Sequence, residues 1–325
     1  PGPDGLPGTK PENFVWLADY VQTNNPNGGG YYQARTHLRH PNAWMGEDYI
    51  KQGYIDQDWL YWAGDGTVVD GKLQVLWGGV YNGDQNLMRS ENQALAIYSL
   101  EGKPGDDTYL KLLSVDHNYV AHDDVMYGSQ LWEDEDGHTY LYASKQWKET
   151  EDQLLGYCSP VVARTKTHDL NSGTEYYVKD ANGEWHWQNE YPSEEDQNRS
   201  CITSKDDNLS TVWVFKKGDW YYMTGEAYVF GKDMYIMRSK YPWGPFTDRK
   251  RLWIFPNVLD KLGTRTYGKI YMPHLHQTLS RQGELVFSTN TDAPEWNDNF
   301  NSKGSADFYR PFFIRVYNWE AVFDE

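Results

Sequence analysis

The stretch YWAGDGTVVDGKLQVLWGG, residues 61–79, decides the fold. Two runs of strand composition flank the dipeptide Asp70-Gly71, where glycine supplies the positive φ that a tight primed turn demands. The segment reads as a β-hairpin, and the arrangement returns as YGSQLWEDEDGHTYLYAS at 127–144, STVWVFKKGDWYYMTGE at 210–226 and HQTLSRQGELVFSTN at 276–290. The turn glycines Gly71, Gly137, Gly218 and Gly283 are spaced by 66, 81 and 65 residues, a period suited to four-stranded propeller blades with generous loops.

Working outward, three of the hairpins are followed by further strand-like segments: SPVVARTKTHDL at 159–170, DMYIMRSKYPWGPFTDRKRLW at 233–253 and ADFYRPFFIRVYNWEAVF at 306–323. Helical periodicity is scarce. Its best candidate is QNLMRSENQALAI at 85–97, for which a loop leading into a strand is the competing reading. Residues 183–208 are polar and charged and read as an inter-strand insertion. Four blades declare themselves. Residues 1–60 are expected to supply an irregular fifth, closed by strand exchange with the C-terminus. The expectation is a single all-β domain over 1–325, a five-bladed β-propeller.

Composition narrows the partners. A formal charge of −17 argues against nucleic acid, which needs clustered Lys and Arg, and against an anionic membrane surface. No run approaches the length of a membrane-spanning helix. The opening PGPDGLPGTKPENF reads as turn or linker, so a mature or trimmed secreted form, extracellular or periplasmic, is expected. Two sequons, at Asn198 and Asn208, lean the same way. The two cysteines, Cys158 and Cys201, form no metal-ligand pattern, and their pairing stays open. With 15 Trp and 26 Tyr, the chain has aromatics enough both to wedge blades apart and to stack against sugar rings.

Several pieces together resemble the five-bladed propeller glycosidases: a domain-of-unknown-function group related to endo-D-arabinofuranases and, more distantly, arabinanase- and fructosidase-like enzymes. They are Tyr61-Trp62-x-Gly64-Asp65-Gly66, the Asp-Gly hairpin at 134–137, Ser210-x-Val212 ahead of Lys-Gly-Asp-Trp-Tyr, and Trp243-Gly244-Pro245-Phe246-Thr247. Ile270-Tyr271 leading to His276 and Asp307-x-Tyr309-Arg310-Pro311 complete the set. The resemblance implies a hydrolase of furanosides or related polysaccharides that works with paired carboxylates and no organic cofactor, with a structural calcium in the central channel as an option. It also implies acids that this chain lacks. No Gly-Asp-Thr precedes Asp65, Gly128-Ser129 stand where arabinanase-like relatives have an Asp, and Ser210-Thr211 where they have a Glu. A non-catalytic carbohydrate-binding or structural propeller is therefore the competing expectation.

Glycoside hydrolysis generally needs two carboxyl groups facing each other across the scissile bond. Asp65, at the start of an inner strand and flanked by glycines, is the first candidate, against a turn aspartate that caps its own backbone. Asp124, with Asp123 beside it for substrate, lies just ahead of the next hairpin, where a polar loop is the plainer reading. Glu226 ends a strong strand near the rim. Trp62 and Tyr127 are candidate sugar platforms, and Arg310 offers a fork for sugar hydroxyls or a salt bridge between blades. Of His274 and His276, only one is expected to face the channel. His276 is at the family position, as a substrate contact, a ligand to a central cation or a core histidine. The turn Glu133-Asp134-Glu135-Asp136 is expected to be a solvated hairpin tip.

Overall fold

The computed structural model describes residues 59–81, 89–103, 106, 108–120, 125–147, 157–227, 231–254, 269–292 and 312–324. Among them the chain builds four antiparallel meanders, the blades of an all-β propeller. The first holds β1 (Trp59–Val69), β2 (Lys72–Tyr81), β3 (Arg89–Leu100) and β4 (Tyr109–Val120). The second holds β5 (Gln130–Glu133), β6 (Thr139–Trp147), β7 (Tyr157–Thr165), β8 (Thr174–Lys179) and β9 (Trp185–Gln188). The third holds β10 (Leu209–Lys217), β11 (Trp220–Ala227), β12 (Asp233–Ser239) and β13 (Thr247–Ile254), and the fourth β14 (Lys269–Leu275), β15 (Glu284–Asp292) and β16 (Phe312–Tyr317). The expected fifth blade falls on residues of which 1–58 lie outside the described set.

All four hairpins form where their glycines demand. Asp70 and Gly71 both take positive φ, 49° and 71°, and Gly137, Gly218 and Gly283 sit at 93°, 58° and 78°. Of the helical candidate at 85–97, residues 89–97 belong instead to β3, and 85–88 lie outside the described residues. Its side chains alternate with period two: Ala94, Ala96 and Tyr98 enter one core cluster, while Leu95 enters another. The insertion at 183–208 is more ordered than its polarity implied. It adds β9 as a fifth strand, then a short helix α1 (Glu194–Arg199) capped by Ser193 and a single turn capped by Ser204.

The cores lie between blades. Leu76 and Leu95 of the first meet Tyr127, Leu141 and Ala163 of the second, and Tyr140 and Tyr142 of the second meet Val212, Val214 and Met223 of the third. Phe215, Tyr222 and Ile236 of the third meet Leu285 and Phe287 of the fourth, with Trp319 closing the seam. Much of the aromatic excess is spent on such wedges, where rings supply wide apolar faces. In the Glu133–Asp136 turn Glu133, Glu135 and Asp136 are exposed as expected, but Asp134 is a correction: it is only 5% exposed and accepts hydrogen bonds from the Trp132 indole (2.9 Å) and, across the seam, the Tyr221 hydroxyl (2.6 Å). A carboxylate that finds such donors can leave solvent. Both cysteines are buried, and no disulfide joins them. Both sequons lie in ordered backbone: Asn198 sits in α1, and the Asn208 side chain accepts the Cys158 amide at 2.7 Å.

The first strands β1, β5, β10 and β14 are neighbours around the axis. One device recurs between them. Asp65 Oδ2 accepts the Leu131 amide of the next blade at 2.9 Å. Gln130 does the same for the Val214 amide at 2.9 Å, and its Nε2 donates to the Val214 carbonyl at 3.1 Å. The Trp213 indole donates to the Pro273 carbonyl at 2.9 Å. Carboxylate, amide and indole near the starts of β1, β5 and β10 thus staple these first strands to the backbone of the next blade.

Candidate active site

Before these staples, β1, β10 and β14 each carry a bulge: between Ala63 and Gly66, between Ser210 and Trp213, and between Tyr271 and His274. In the second blade Gly128, at φ 89°, makes the equivalent break just ahead of β5. Thr211 and Met272 take φ of 48° and 55°, a conformation that side-chain-bearing residues adopt rarely and at a cost. Bulges re-aim side chains and end regular pairing, which is what a site at the axis needs.

In the third blade the bulge brings together a serine and a buried acid. Ser210 lies directly across from Glu226 in the β10–β11 register, and its hydroxyl donates to Glu226 Oε1 at 3.2 Å. Glu226 is 1% exposed. Sequence reading expected it at the rim; β11 instead holds it buried, next to Ser210. Gly225 makes room: a Cβ there would lie 3.2 Å from Val212 and 3.3 Å from the Ser210 carbonyl.

Asp65 is held by the backbone through both of its carboxylate oxygens. Oδ1 accepts the Gly66 amide and Oδ2 the Leu131 amide, both at 2.9 Å, and its own amide reaches the Gly128 carbonyl at 3.2 Å. Burial raises its pKa above the ordinary carboxylate value, the two amides oppose that, and the nearby Glu133 adds to it. Both the turn-capping reading and the staple describe it. Tyr127 is likewise a core residue, 3% exposed, with its ring edge against Tyr176 and Tyr191. Trp62, by contrast, is 45% exposed and stays available as a platform.

His274 and His276 correct another expectation. Residues two apart in a strand share a face, and the two rings stack at 4.6 Å. His274 also leans on Trp213, centroid to centroid 3.8 Å. Part of its ring is open to solvent, yet burial of the remainder by the packed rings, with His276 adding repulsion, pulls its pKa down to about 4. His276 bonds to the Ser288 hydroxyl at 2.8 Å and packs against Phe313. Among the described residues no three His, Cys, Asp or Glu side chains gather into a set that could hold a metal ion with His276. Asp123, Asp124 and Arg310 lie outside the described residues. Sequence reading missed the Ser210–Glu226 pair and the Trp213–His274 contact. Counting hairpin register outward from Gly218, with allowance for a bulge, would have found the first.

Fold and geometry define a β-propeller with a buried carboxyl beside its axis. The chain belongs to the family described as Domain of unknown function (DUF5005), whose model matches residues 11–319. A crystallised protein from Bacteroides ovatus, provisionally described as a hydrolase, is 52% identical, with a TM-score of 0.78 over 98% of this chain and 76% of that one. More distant likenesses include an inulosucrase from Halalkalicoccus jeotgali bound to kestose (14% identity, TM-score 0.46, 79% and 67% of the two chains). Another is an α-L-arabinanase from Cellvibrio cellulosa with arabinohexaose (12%, 0.44, 83% and 76%). These last two are too remote to transfer a role. Comparison with curated proteins gave no match. Among the described residues no helix is long and apolar enough to cross a membrane.

Proposed function

We propose that the chain is a glycoside hydrolase that cleaves a furanoside or related polysaccharide at the axis of a five-bladed propeller, outside the cell or in the periplasm. The observation that carries this reading is Glu226, a buried carboxyl held by Ser210 where β10 and β11 meet the axis. In this reading Glu226 delivers its proton to the glycosidic oxygen as the bond to the anomeric carbon breaks. A second carboxyl, for which Asp124 is the candidate, either takes a proton from the attacking water or bonds to the anomeric carbon itself. Trp62 supplies a sugar-stacking face, neutral His274 offers hydrogen bonds to hydroxyls, and Arg310 and Asp123 remain candidate contacts. No organic cofactor enters the reaction. A non-catalytic carbohydrate-binding propeller is the second reading, favoured by Asp65, whose two oxygens are both engaged by backbone amides. Product release from arabinans, fructans and other plant and bacterial glycans separates the two. Cleavage lost in Glu226→Gln supports the hydrolase. Binding of a glycan without cleavage by the native protein leaves the binding propeller.

A further inference from the structure

We propose that Ser210 is the positioning residue for Glu226: turned inward by the bulge at Thr211, its hydroxyl fixes the rotamer and hydrogen bonding of that carboxyl. This rests on the reading of Glu226 above for its catalytic consequence, though not for the interaction itself. Three features converge on the pair. Ser210 and Glu226 are cross-strand partners, buried at 4% and 1%, so the hydroxyl-to-carboxyl bond is shielded from competing water. In so dry a place a bond to an ionisable group counts for more than it would at the surface. Next, the strand bends at Thr211, whose β-branched side chain is poorly suited to φ 48°. The ladder resumes only at Trp213 opposite Thr224, so two residues of β10 are set against Gly225. A regular ladder here would shift everything before Thr211 by one position, and the period of two would carry Ser210 to the other face. Lastly, Gly225 has no Cβ, which lets Val212 and the Ser210 carbonyl close over the strand beside Glu226.

The test compares Ser210→Ala with Ser210→Thr, which keeps a hydroxyl, in two measurements. In isotope-edited infrared difference spectra against Glu226→Gln, the Glu226 carboxyl band should move in Ser210→Ala and return in Ser210→Thr. On a glycan the native protein cleaves, kcat should fall about tenfold in Ser210→Ala with KM within twofold, the size expected for one buried hydrogen bond. An unmoved band in Ser210→Ala overturns the proposal, whatever the activity. A moved band in a chain whose Glu226→Gln variant cleaves as well as the native protein upholds the Ser210 contact and removes the hydrolytic role of Glu226. Should Ser210→Ala fail to fold, Ser210→Cys, nearly isosteric with a weaker donor, reads the same band.

Discussion

Replacing Asp65 separates a staple from a catalyst. In Asp65→Ala the amides of Leu131 and Gly66 lose their acceptor, and Leu131 is buried, so water cannot fully substitute at that end. A stranded buried donor costs about 1–3 kcal/mol, and adding a partly solvated second one gives a loss of roughly 2–4 kcal/mol. Asp65→Asn keeps one acceptor oxygen for Leu131 but turns an NH2 toward Gly66, for a cost of about 1 kcal/mol. That cost should depend on pH. Burial raises the folded-state pKa of Asp65 above 3.8, so the folded protein holds the proton more tightly than the unfolded chain. Native stability then falls as pH rises from about 4 through the folded pKa, because the ionised group is the disfavoured one. Asparagine has no such dependence, so the gap between the two proteins should be widest below pH 4 and narrow toward neutrality. Urea unfolding at pH 3.5, 5.5 and 7.5, with glycan cleavage assayed alongside, reads both effects. An Asp65→Asn protein with an unchanged midpoint and a hundredfold loss of turnover would refute the staple and return Asp65 to catalysis.

Gln130→Ala should cost about 2–4 kcal/mol in urea unfolding, because it strands the amide of the buried Val214, leaves its carbonyl only the long bond from Gln277 and opens a void, whereas Gln188→Ala on β9 should change little. Tyr221→Phe removes a donor from Asp134. Burial pushes that carboxyl up, but the Tyr221 hydroxyl, the Trp132 indole and the Asp136 amide more than offset it, so its pKa lies below the ordinary value. The resulting stability is present above the unfolded pKa and lost as pH falls through the folded one. Tyr221→Phe should therefore cost about 1–2 kcal/mol at neutrality and move acid unfolding to higher pH. NMR titration should find the His274 imidazole neutral until about pH 4, and protonation near 6.5 would contradict its packing against Trp213 and His276. Thiol titration should count no reactive cysteine in the native protein and two after unfolding without reductant, since Cys158 and Cys201 are buried and not joined by a disulfide.

What could be read from sequence followed local chemistry. Each hairpin was marked by a glycine whose positive φ few other residues tolerate, so four blades were legible from Gly71, Gly137, Gly218 and Gly283 alone. What escaped reading depends on register across strands distant in the chain. Asp65, Gln130 and Trp213 share no chemistry a pattern could match, and only their common act of bonding the next blade's backbone relates them. Asp134 escaped for the same reason, since its donor Tyr221 lies 87 residues away. Glu226 was visible as an acid at a strand end, but its partner was not, because a single extra residue at Thr211 decides whether Ser210 faces it. That bears directly on how Glu226 is read, because strand order alone would leave it an acid at a strand end, whereas the bulged register sets it 1% exposed against the Ser210 hydroxyl.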